Sequence, residues 1–256
     1  MSSDLAIVGG SGVDTFAGWE ATGSHDLTTA YGAPSASIEA YRCCGSDFYY
    51  LARHGRPHRI APHRINYRAN LRALYELGAR RIVAINAVGG IAANVPAGAV
   101  MIPDQIIDYT YGREHTYGDG DAGDNAVAGI AVQHIDFTEP YSPGLRADLL
   151  AAAAAAGAGV VDGGVYAAMQ GPRLESAAEI LRLERDGCAV VGMTGMPEAA
   201  LARELGIAYA SLCIVVNAAA GKGTAPLTVD AMQAPMTAAL AEIEKILAVF
   251  LRAGSV

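Results

Sequence analysis

The stretch Leu5-Ala6-Ile7-Val8-Gly9-Gly10-Ser11-Gly12, residues 5–12, is an apolar run that ends at a glycine-rich turn. A short apolar run bounded by a turn signal is typical of a buried strand. Similar apolar runs occur at residues 81–87 and 208–216, and stretches with helical spacing or a proline start lie between them. Strands that alternate with helices along the chain predict an α/β fold.

The remaining predicted elements continue this alternation. Residues 36–41 and 48–51 flank Gly45-Ser46 and predict a β-hairpin. Residues 66–77 have helical spacing, and Gly78 is placed to end that helix. Further strands are predicted at 100–108 and 165–169, further helices at 143–156, 176–185, 197–205 and 227–251, and a long loop at 111–129. No repeat or shift in composition divides residues 1–256, so we predict a single domain with a central mixed β-sheet flanked by helices.

Composition and charge restrict the classes of function. The 256-residue chain is 52% apolar and can bury a sizeable core, and its net charge of −8 argues against an extended nucleic-acid or membrane surface. The sequence does not open with a basic segment followed by an apolar run, and its longest uncharged apolar stretch, residues 149–161, is too short to span a bilayer. We therefore expect a cytoplasmic protein that binds neither nucleic acid nor membrane.

The four cysteines lack the spacing of a metal site or a redox motif. Cys43 and Cys44 are adjacent on a predicted strand, so their side chains are expected on opposite faces. We predict reduced, structural thiols and no metal site.

Polar or glycine-rich sequence follows four of the predicted strands: after Val8, after Leu51, at Asn86 and at Asn217. In open α/β sheets, ligands bind at the carboxyl ends of the strands. We therefore expect these places, which lie far apart in the sequence, to converge on one site.

Two segments are candidates for binding an anion. The turn at residues 9–12 can present backbone N–H groups and a hydroxyl to an oxyanion, although taken alone it favours a simple tight turn, because Gly-Gly turns are common. Its spacing is not that of a dinucleotide-binding or ATP-binding loop. Residues 52–59 place three Arg and two His after a predicted strand, and in an acidic chain this favours an anion site over a solvated basic loop.

Three further positions lie near predicted strand ends. Glu175 either accepts a hydrogen bond from a ring N–H of a base or interacts with the helix that follows it. Taken alone, Met193 favours core packing over contact with a sugar, whereas Asn217 either caps a turn or contacts a polar ligand. The residues alone leave the alternatives for Glu175 and Asn217 open.

In this order the segments resemble the trimeric purine nucleoside and methylthioadenosine phosphorylase family over nearly the whole chain. The most specific blocks are Arg53-His54-Gly55-Arg56, Asn66-Tyr67-Arg68-Ala69-Asn70, Gly171-Pro172-Arg173 and Gly192-Met193-Thr194-Gly195-Met196-Pro197-Glu198. The resemblance implies the family's α/β fold and phosphorolysis of a purine nucleoside, in which inorganic phosphate is a co-substrate and no cofactor is needed. It also implies a homotrimer or a dimer of trimers.

The resemblance implies a role for each matching position. Phosphate would be held by Ser11, Arg53, His54, Asn86, Ala87 and Thr194, with Asn86 standing where relatives that cleave methylthioadenosine typically have Thr. The ribose and its 5′-substituent would contact Met193, His58 and His134, the last from a neighbouring subunit. The base would be bound by Leu174, Glu175, Asn217 and Ala219. The catalytic residues would be Asn217, Glu175 and His54.

The base-site residues favour a 6-oxopurine. Family members that cleave methylthioadenosine resemble one another in having two Asp where this sequence has Asn217 and Ala219. An Asn amide can donate to O6 and accept from a protonated N7, and an ionised Glu175 can accept from N1–H, which adenine lacks. A mismatched base leaves buried polar groups unpaired, at about 1–3 kcal/mol per group. Methylthioinosine or inosine is therefore favoured over methylthioadenosine.

The 5′-substituent is not decided by composition. Similarity to members that cleave S-methyl-5′-thioinosine, through residues 53–58 and 215–222, favours the methylthio group. A general inosine or guanosine phosphorylase and a methylthioadenosine phosphorylase are the alternatives within this chemistry. A non-catalytic nucleotide-binding module is the alternative outside it, and an NAD-dependent dehydrogenase is disfavoured because the first glycine turn has the wrong spacing.

Overall fold

The computed structural model describes residues 3–10, 12–13, 16–118, 132–223 and 228–254. Within these residues the chain forms one mixed β-sheet and five α-helices. The strands are β1 (Leu5–Gly9), β2 (Glu20–His25), β3 (Ile38–Cys43), β4 (Ser46–Ala52), β5 (Arg81–Gly90), β6 (Val100–Ile102), β7 (Gln105–Asp108), β8 (Val160–Asp162), β9 (Val165–Ala168), β10 (Cys188–Gly192) and β11 (Ala208–Ala218). The helices are α1 (Tyr67–Glu76), α2 (Pro143–Ala155), α3 (Ala177–Arg185), α4 (Gly195–Glu204) and α5 (Val229–Ala253).

Four parallel strands form the middle of the sheet, in the order β4, β1, β5, β11. Antiparallel β3 and β2 extend it beyond β4, and β6 and β8 extend it beyond β11. Near its carboxyl end, β5 also pairs with β10, which continues to β9 and β7. The predicted central mixed sheet is confirmed. Near its carboxyl end β5 pairs with both β11 and β10, so the sheet divides there into two branches. This division lies at the edge where ligands are expected.

Helices cover both faces of this sheet. Successive side chains of a strand point to opposite faces, so Val8 belongs to one hydrophobic cluster and Ile7 to another. The Val8 cluster contains Leu71 of α1 together with apolar residues of α4, and the Ile7 cluster contains Leu149 of α2 and Ile243 of α5. In the part of the chain that the structure describes, no helix is both long enough and apolar enough to cross a membrane.

Residues 100–108 do not form the single strand predicted from their apolar character. Pro103, which lacks an N–H, separates β6 from β7, and the two strands pair with different branches of the sheet. Asp104 fixes the break, because its Oδ1 accepts a hydrogen bond from the N–H of Gly164 at 2.7 Å.

Three strands were not predicted: β2, β8 and β10. The whole of β2 is exposed or half-buried, so it carries no apolar pattern. In contrast, β10 is a mostly buried strand at residues to which the sequence analysis assigned no element.

The prediction that Cys43 and Cys44 point to opposite faces is wrong. Cys44 leaves the strand in the hairpin turn with a φ of 54°, and its sulfur lies 3.4 Å from that of Cys43. All four cysteines are in described segments, and none of them forms a disulfide.

Candidate active site

The carboxyl ends of the four parallel strands meet at a cavity of about 210 Å³. Its wall also includes the end of β10, the segment before α3 and the start of α5. Most of the predicted site residues line it: Arg53, His54, Ala87, Leu174, Glu175, Met193, Thr194, Asn217 and Ala219. Ser11 lies outside the described residues. The expected convergence of distant strand ends is confirmed.

Arg53 is buried at one end of the cavity and is held there by Glu198. Its Nε and Nη2 donate to the two carboxylate oxygens at 3.0 and 2.8 Å, and both side chains are completely buried. Nη1 also donates to the Ile85 carbonyl at 2.7 Å, and Nη2 to the Val8 carbonyl at 3.2 Å. Burial opposes the charge, but the attraction of Glu198 outweighs it and raises the pKa of Arg53 above its ordinary value. Among the described residues, one Nη1 hydrogen is left without an acceptor.

The glycine turn after β1 packs directly on this guanidinium. A carbon added to Gly10 would lie 2.8 Å from the Ile85 carbonyl oxygen and 2.9 Å from Nη1 of Arg53. Contacts that short do not occur for a real side chain, so the close approach requires glycine at this position. The turn is therefore a wall of the cavity as well as a chain reversal.

The basic segment divides into a buried pair and an exposed loop. Arg53 and His54 are buried, whereas Arg56 pairs with Glu39 at 2.7 Å and His58 and Arg59 are exposed. The ring of His58 stacks on that of His54, with centroids 4.3 Å apart and planes 9° from parallel.

The His54 ring is neutral. Its Nδ1 lies 2.8 Å from the Ile60 carbonyl oxygen. Burial is the main cause that lowers the pKa of His54, to about 4, and the charge of Arg53 adds to it.

Asn86 lies behind Thr194 and does not line the cavity. Its Nδ2 donates to Thr194 Oγ1 at 2.8 Å, and its Oδ1 accepts from the Ser211 hydroxyl at 2.6 Å. The amide is therefore used within the protein, and its position does not support direct contact with phosphate. Thr194 lines the cavity, and within the described residues its hydroxyl donates to no protein acceptor, so its proton is available to a ligand there.

Glu175 faces the cavity and does not cap α3. A capping box formed by Ser176 and Glu179 satisfies the start of that helix. Burial is the largest cause that raises the pKa of the Glu175 carboxyl, and the nearby Glu179 adds to it. The start of α3 therefore does not depend on Glu175 as a cap, and Glu175 lines the cavity.

Asn217 enters the cavity at an irregularity of β11. The register of β11 against β5 shifts between Val215 and Asn217, and such a bulge re-aims a side chain. Its Nδ2 donates to the Ala218 carbonyl at 2.7 Å, which leaves one amide hydrogen and Oδ1 without a partner among the described residues. Ala219 is buried and packs in a cluster with Ile91 and other apolar side chains.

Comparison with known proteins places this site in a family. Residues 4–252 match the family model described as the phosphorylase superfamily. The chain belongs to the phosphorylase superfamily. It is 49% identical over 243 residues to a probable S-methyl-5′-thioinosine phosphorylase from Pseudomonas syringae pv. tomato, covering 95% of this chain and 96% of the relative.

Other relatives of this phosphorylase carry related names. The 6-oxopurine nucleoside phosphorylase of Pyrococcus furiosus is 45% identical over 224 residues, covering 88% of this chain and 83% of the relative. The solved structure of methylthioadenosine phosphorylase from Schistosoma mansoni in complex with tubercidin superposes with a TM-score of 0.88 at 30% identity, covering 97% of this chain and 90% of that one. The predicted family, fold and enzyme class, a nucleoside phosphorylase, are confirmed.

Methionines give the phosphorylase cavity part of its apolar wall. Met193 lines it beside Gly171, and a carbon added to Gly171 would collide with the Met193 sulfur. Met232 and Met236, one turn apart on α5, also line it, and Met236 lies against Gly12 of the glycine turn. Sequence analysis did not single out the two α5 methionines, because methionine in a helix is typical of core packing.

His134 does not line the cavity of its own chain. It is exposed in the segment at residues 132–139, which forms no helix or strand. Its predicted contribution to a neighbouring subunit stays a prediction.

Arg113 is a functional candidate that sequence analysis missed. Its guanidinium donates to the carbonyls of Met193 and Met196 at 2.8 and 2.6 Å, and to those of Gln170 and Met169 at 2.8 and 3.2 Å. Nε also donates to Oε1 of Gln170 at 3.1 Å. Arg113 therefore joins the wall around Met193 to the segment that leads to Glu175. A single Arg in a predicted loop gave no signal of this role; residues 119–129 of that loop lie outside the described residues.

Proposed function

We propose that this phosphorylase uses inorganic phosphate to cleave 6-oxopurine nucleosides, and that S-methyl-5′-thioinosine is its best substrate. The products are hypoxanthine and 5-methylthioribose 1-phosphate. The observation that carries the proposal is one cavity lined both by Arg53, His54 and Thr194 and by Glu175 and Asn217. An anion and a purine therefore have separate sets of partners within one small volume.

The phosphate partners are donors held in place by buried groups. Thr194 is held by the hydrogen bond from Asn86 and keeps its hydroxyl proton for a ligand, and Arg53 offers the one hydrogen that Glu198 and the strand carbonyls leave. The predicted contributions of Ser11 and Ala87 complete this set, and Ala87 lines the same cavity. Preorganised donors in a dry cavity stabilise an anion without having to reorganise.

The base partners match a 6-oxopurine. The unassigned amide hydrogen of Asn217 suits O6, and its Oδ1 suits a protonated N7. The Glu175 carboxylate suits N1–H. Adenine presents a donor at N6 and an unprotonated N1. The amide hydrogen of Asn217 would then face the N6 donor, and the Glu175 carboxylate would face the lone pair of N1.

The chemistry needs no protein nucleophile. Phosphate held beneath the ribose attacks C1′ as the bond to the purine breaks, and the charge of the phosphate stabilises the oxocarbenium-like transition state. The departing purine takes up negative charge, which Asn217 stabilises at N7 and O6. Glu175 anchors the base during this step.

Thioethers support the methylthio preference. Met193, Met232 and Met236 present apolar, polarisable surface to the cavity, which suits an S-methyl group better than a hydroxyl. The relative from Pseudomonas syringae is named for the same substrate. We expect S-methyl-5′-thioinosine to exceed inosine in kcat/KM by about tenfold, the scale of one small apolar group.

We also propose a homotrimer in the cytoplasm, in which His134 of each chain reaches the 5′ region of a neighbour. Its exposure and its absence from the cavity wall of its own chain are compatible with that role. Light scattering coupled to size exclusion would give the mass of the assembly. A monomer with full activity would contradict the trimer.

The test of the proposed function is phosphate-dependent release of base. Hypoxanthine is measured after addition of S-methyl-5′-thioinosine or inosine, with and without phosphate, and the sugar product is identified by ³¹P NMR. We expect release only with phosphate and a sugar 1-phosphate in equal amount. The absence of phosphate-dependent release from either nucleoside would leave a nucleotide-binding module as the better interpretation.

A further inference from the structure

The hydrogen bond of His54 to the backbone fixes which of its ring nitrogens carries a proton. A carbonyl oxygen has no proton to give, so Nδ1, 2.8 Å from the Ile60 carbonyl oxygen, must be the donor. The carbonyl is itself held in place, because the backbone N–H groups of Arg59 and Ile60 both donate to the carbonyl of His54, at 3.0 and 2.9 Å. In a neutral ring with the proton on Nδ1, Nε2 carries a lone pair and can only accept.

The surroundings of His54 keep this ring neutral. It is buried to 7% exposure, and the groups that face it are the guanidinium of Arg53 and the stacked ring of His58. Burial opposes a second proton on the ring most strongly, and both neighbours add to this. The hydrogen bond to the Ile60 carbonyl acts in the opposite direction, but the pKa of His54 is still lowered to about 4. Neither neighbour is a carboxylate that would favour the imidazolium.

Nε2 is the ring nitrogen left for the cavity. His54 lines the cavity, Nδ1 is taken by the loop carbonyl, and Nε2 has no protein partner within the described residues. The neighbouring side chains at this end, Thr194 and Arg53, offer protons. His54 therefore adds an acceptor to a set of donors.

We propose that Nε2 of His54 accepts a hydrogen bond from a protonated oxygen of the bound anion, and that the site thereby selects hydrogenphosphate over tetrahedral dianions that carry no proton. The inference rests on the proposed function, which puts phosphate at this end of the cavity. It specifies that the nucleophile is hydrogenphosphate. It also makes His54 a hydrogen-bond acceptor, whereas a positively charged side chain would act only as a donor.

Sulfate is the matched comparison. At about pH 8, well above the ordinary pKa of histidine, hydrogenphosphate and sulfate are both tetrahedral dianions of similar size, and only hydrogenphosphate has an O–H. A bound sulfate would place an oxygen lone pair opposite the lone pair of Nε2, and the two would repel each other. Leaving one buried acceptor without its donor corresponds to about tenfold weaker binding. Hydrogenarsenate, which keeps a proton, is expected to bind like phosphate.

The experiment measures the Kd of phosphate and of sulfate by calorimetry at one pH and ionic strength, on the wild type and on His54→Gln. A glutamine can turn its NH₂ toward an unprotonated oxygen, so it loses the selectivity. We expect the wild type to prefer phosphate by about tenfold or more, and His54→Gln to reduce the preference to about threefold or less. His115→Gln, the same change outside the cavity, should keep the wild-type preference.

A second measurement reads the protonation of His54 directly in the wild-type protein. Ring ¹⁵N chemical shifts of His54 in the phosphate complex, assigned by their loss in His54→Gln, report which nitrogens are protonated. A proton on Nδ1 alone supports the proposal. An imidazolium with both nitrogens protonated would overturn it, because His54 would then be a donor.

The outcomes separate this inference from the proposed function. A wild type that releases base with phosphate but binds sulfate as tightly as phosphate would overturn the role of His54 and leave the phosphorylase function intact. Retention of the preference in His54→Gln would likewise overturn that role alone. A protein that binds neither anion and releases no base would overturn both.

Discussion

The guanidinium of Arg53 and the carboxylate of Glu198 are joined by two hydrogen bonds, of 3.0 and 2.8 Å, between side chains that are both completely buried. Glu198 follows the Gly-Met-Thr-Gly-Met-Pro segment at residues 192–197, and Arg53 follows β4. The pair therefore ties α4 to the strand ends that line the cavity. Because Tyr209 also donates to Glu198, three elements share one buried charge pair.

Glu198→Gln is expected to destabilise the protein, because it leaves the Arg53 charge buried without a counter-charge. Breaking one partner of such a pair costs about 3–5 kcal/mol, and the glutamine oxygen keeps part of the hydrogen bonding. A bound phosphate dianion supplies the missing negative charge, so phosphate should raise the Tm of Glu198→Gln more than that of the wild type. Thermal unfolding with and without phosphate checks both effects. Glu242→Gln, in an exposed pair with Lys245, is the control and should change stability by less than about 1 kcal/mol.

Arg113→Met is expected to impair nucleoside binding more than phosphate binding. The substitution removes the donors from four carbonyls that connect the segment before Glu175 to the wall around Met193. We expect kcat/KM for the nucleoside to fall by about tenfold or more, with KM for phosphate within about threefold. Arg182→Met, an exposed substitution on α3, serves as the control. Equal losses for both substrates would indicate general damage to the fold instead of a positioning role.

Glu175→Gln is expected to shift base preference toward adenine nucleosides, because the amide can donate to the unprotonated N1 of adenine. Lowering the pH should act in the same direction. The pKa of Glu175 is raised by burial, so its carboxylate takes up a proton at a higher pH than an ordinary Glu, and the protonated group donates where the carboxylate accepts. The ratio of kcat/KM for S-methyl-5′-thioinosine to that for methylthioadenosine should therefore fall as the pH is lowered. A ratio independent of pH in the wild type would contradict contact between Glu175 and N1.

Asn217→Ala is expected to lower kcat by about 100-fold, the scale of one donor to developing charge in a transition state. Binding of phosphate, which has other partners, should stay within about threefold, as measured by calorimetry. An unchanged kcat would remove Asn217 from the mechanism.

Asn217→Asp together with Ala219→Asp is expected to move preference toward 6-aminopurines by supplying acceptors for N6. Ala219 packs in an apolar cluster with Ile91, so the second carboxylate carries a cost in stability, and the double variant needs a thermal unfolding check alongside its kinetics. A folded double variant that stays fully specific for 6-oxopurines would place base choice in Glu175 alone.

Much of the site was predictable because it lies at strand ends. The apolar runs that end at Val8 and Leu51 predicted two strands. In the fold these are the parallel neighbours β1 and β4, whose carboxyl ends lie at the same edge of the sheet. The glycine turn that contains Gly10 and the basic segment that contains Arg53 were candidates because each directly follows a predicted strand. The resemblance to the family then assigned roles that spacing alone left open.

Other features depend on tertiary contacts that leave no local pattern. Asn86 was expected at the phosphate, but its amide is used by Thr194 and Ser211, which lie over a hundred residues away. Arg113 acts through backbone carbonyls, whose positions no sequence motif encodes. The strand β10 is short and buried and merges with the glycine-rich segment that follows it, so its pairing with β5 and β9 became visible only in the fold.

The most direct test of the account compares two substrates in the wild-type protein. Hypoxanthine release from S-methyl-5′-thioinosine and adenine release from methylthioadenosine are measured in parallel at saturating phosphate, and the two kcat/KM values are divided. Because Asn217 and Glu175 both mismatch adenine, the account predicts a ratio of about 100 or more in favour of the 6-oxopurine. Adenine release as efficient as hypoxanthine release would contradict the roles assigned to both residues.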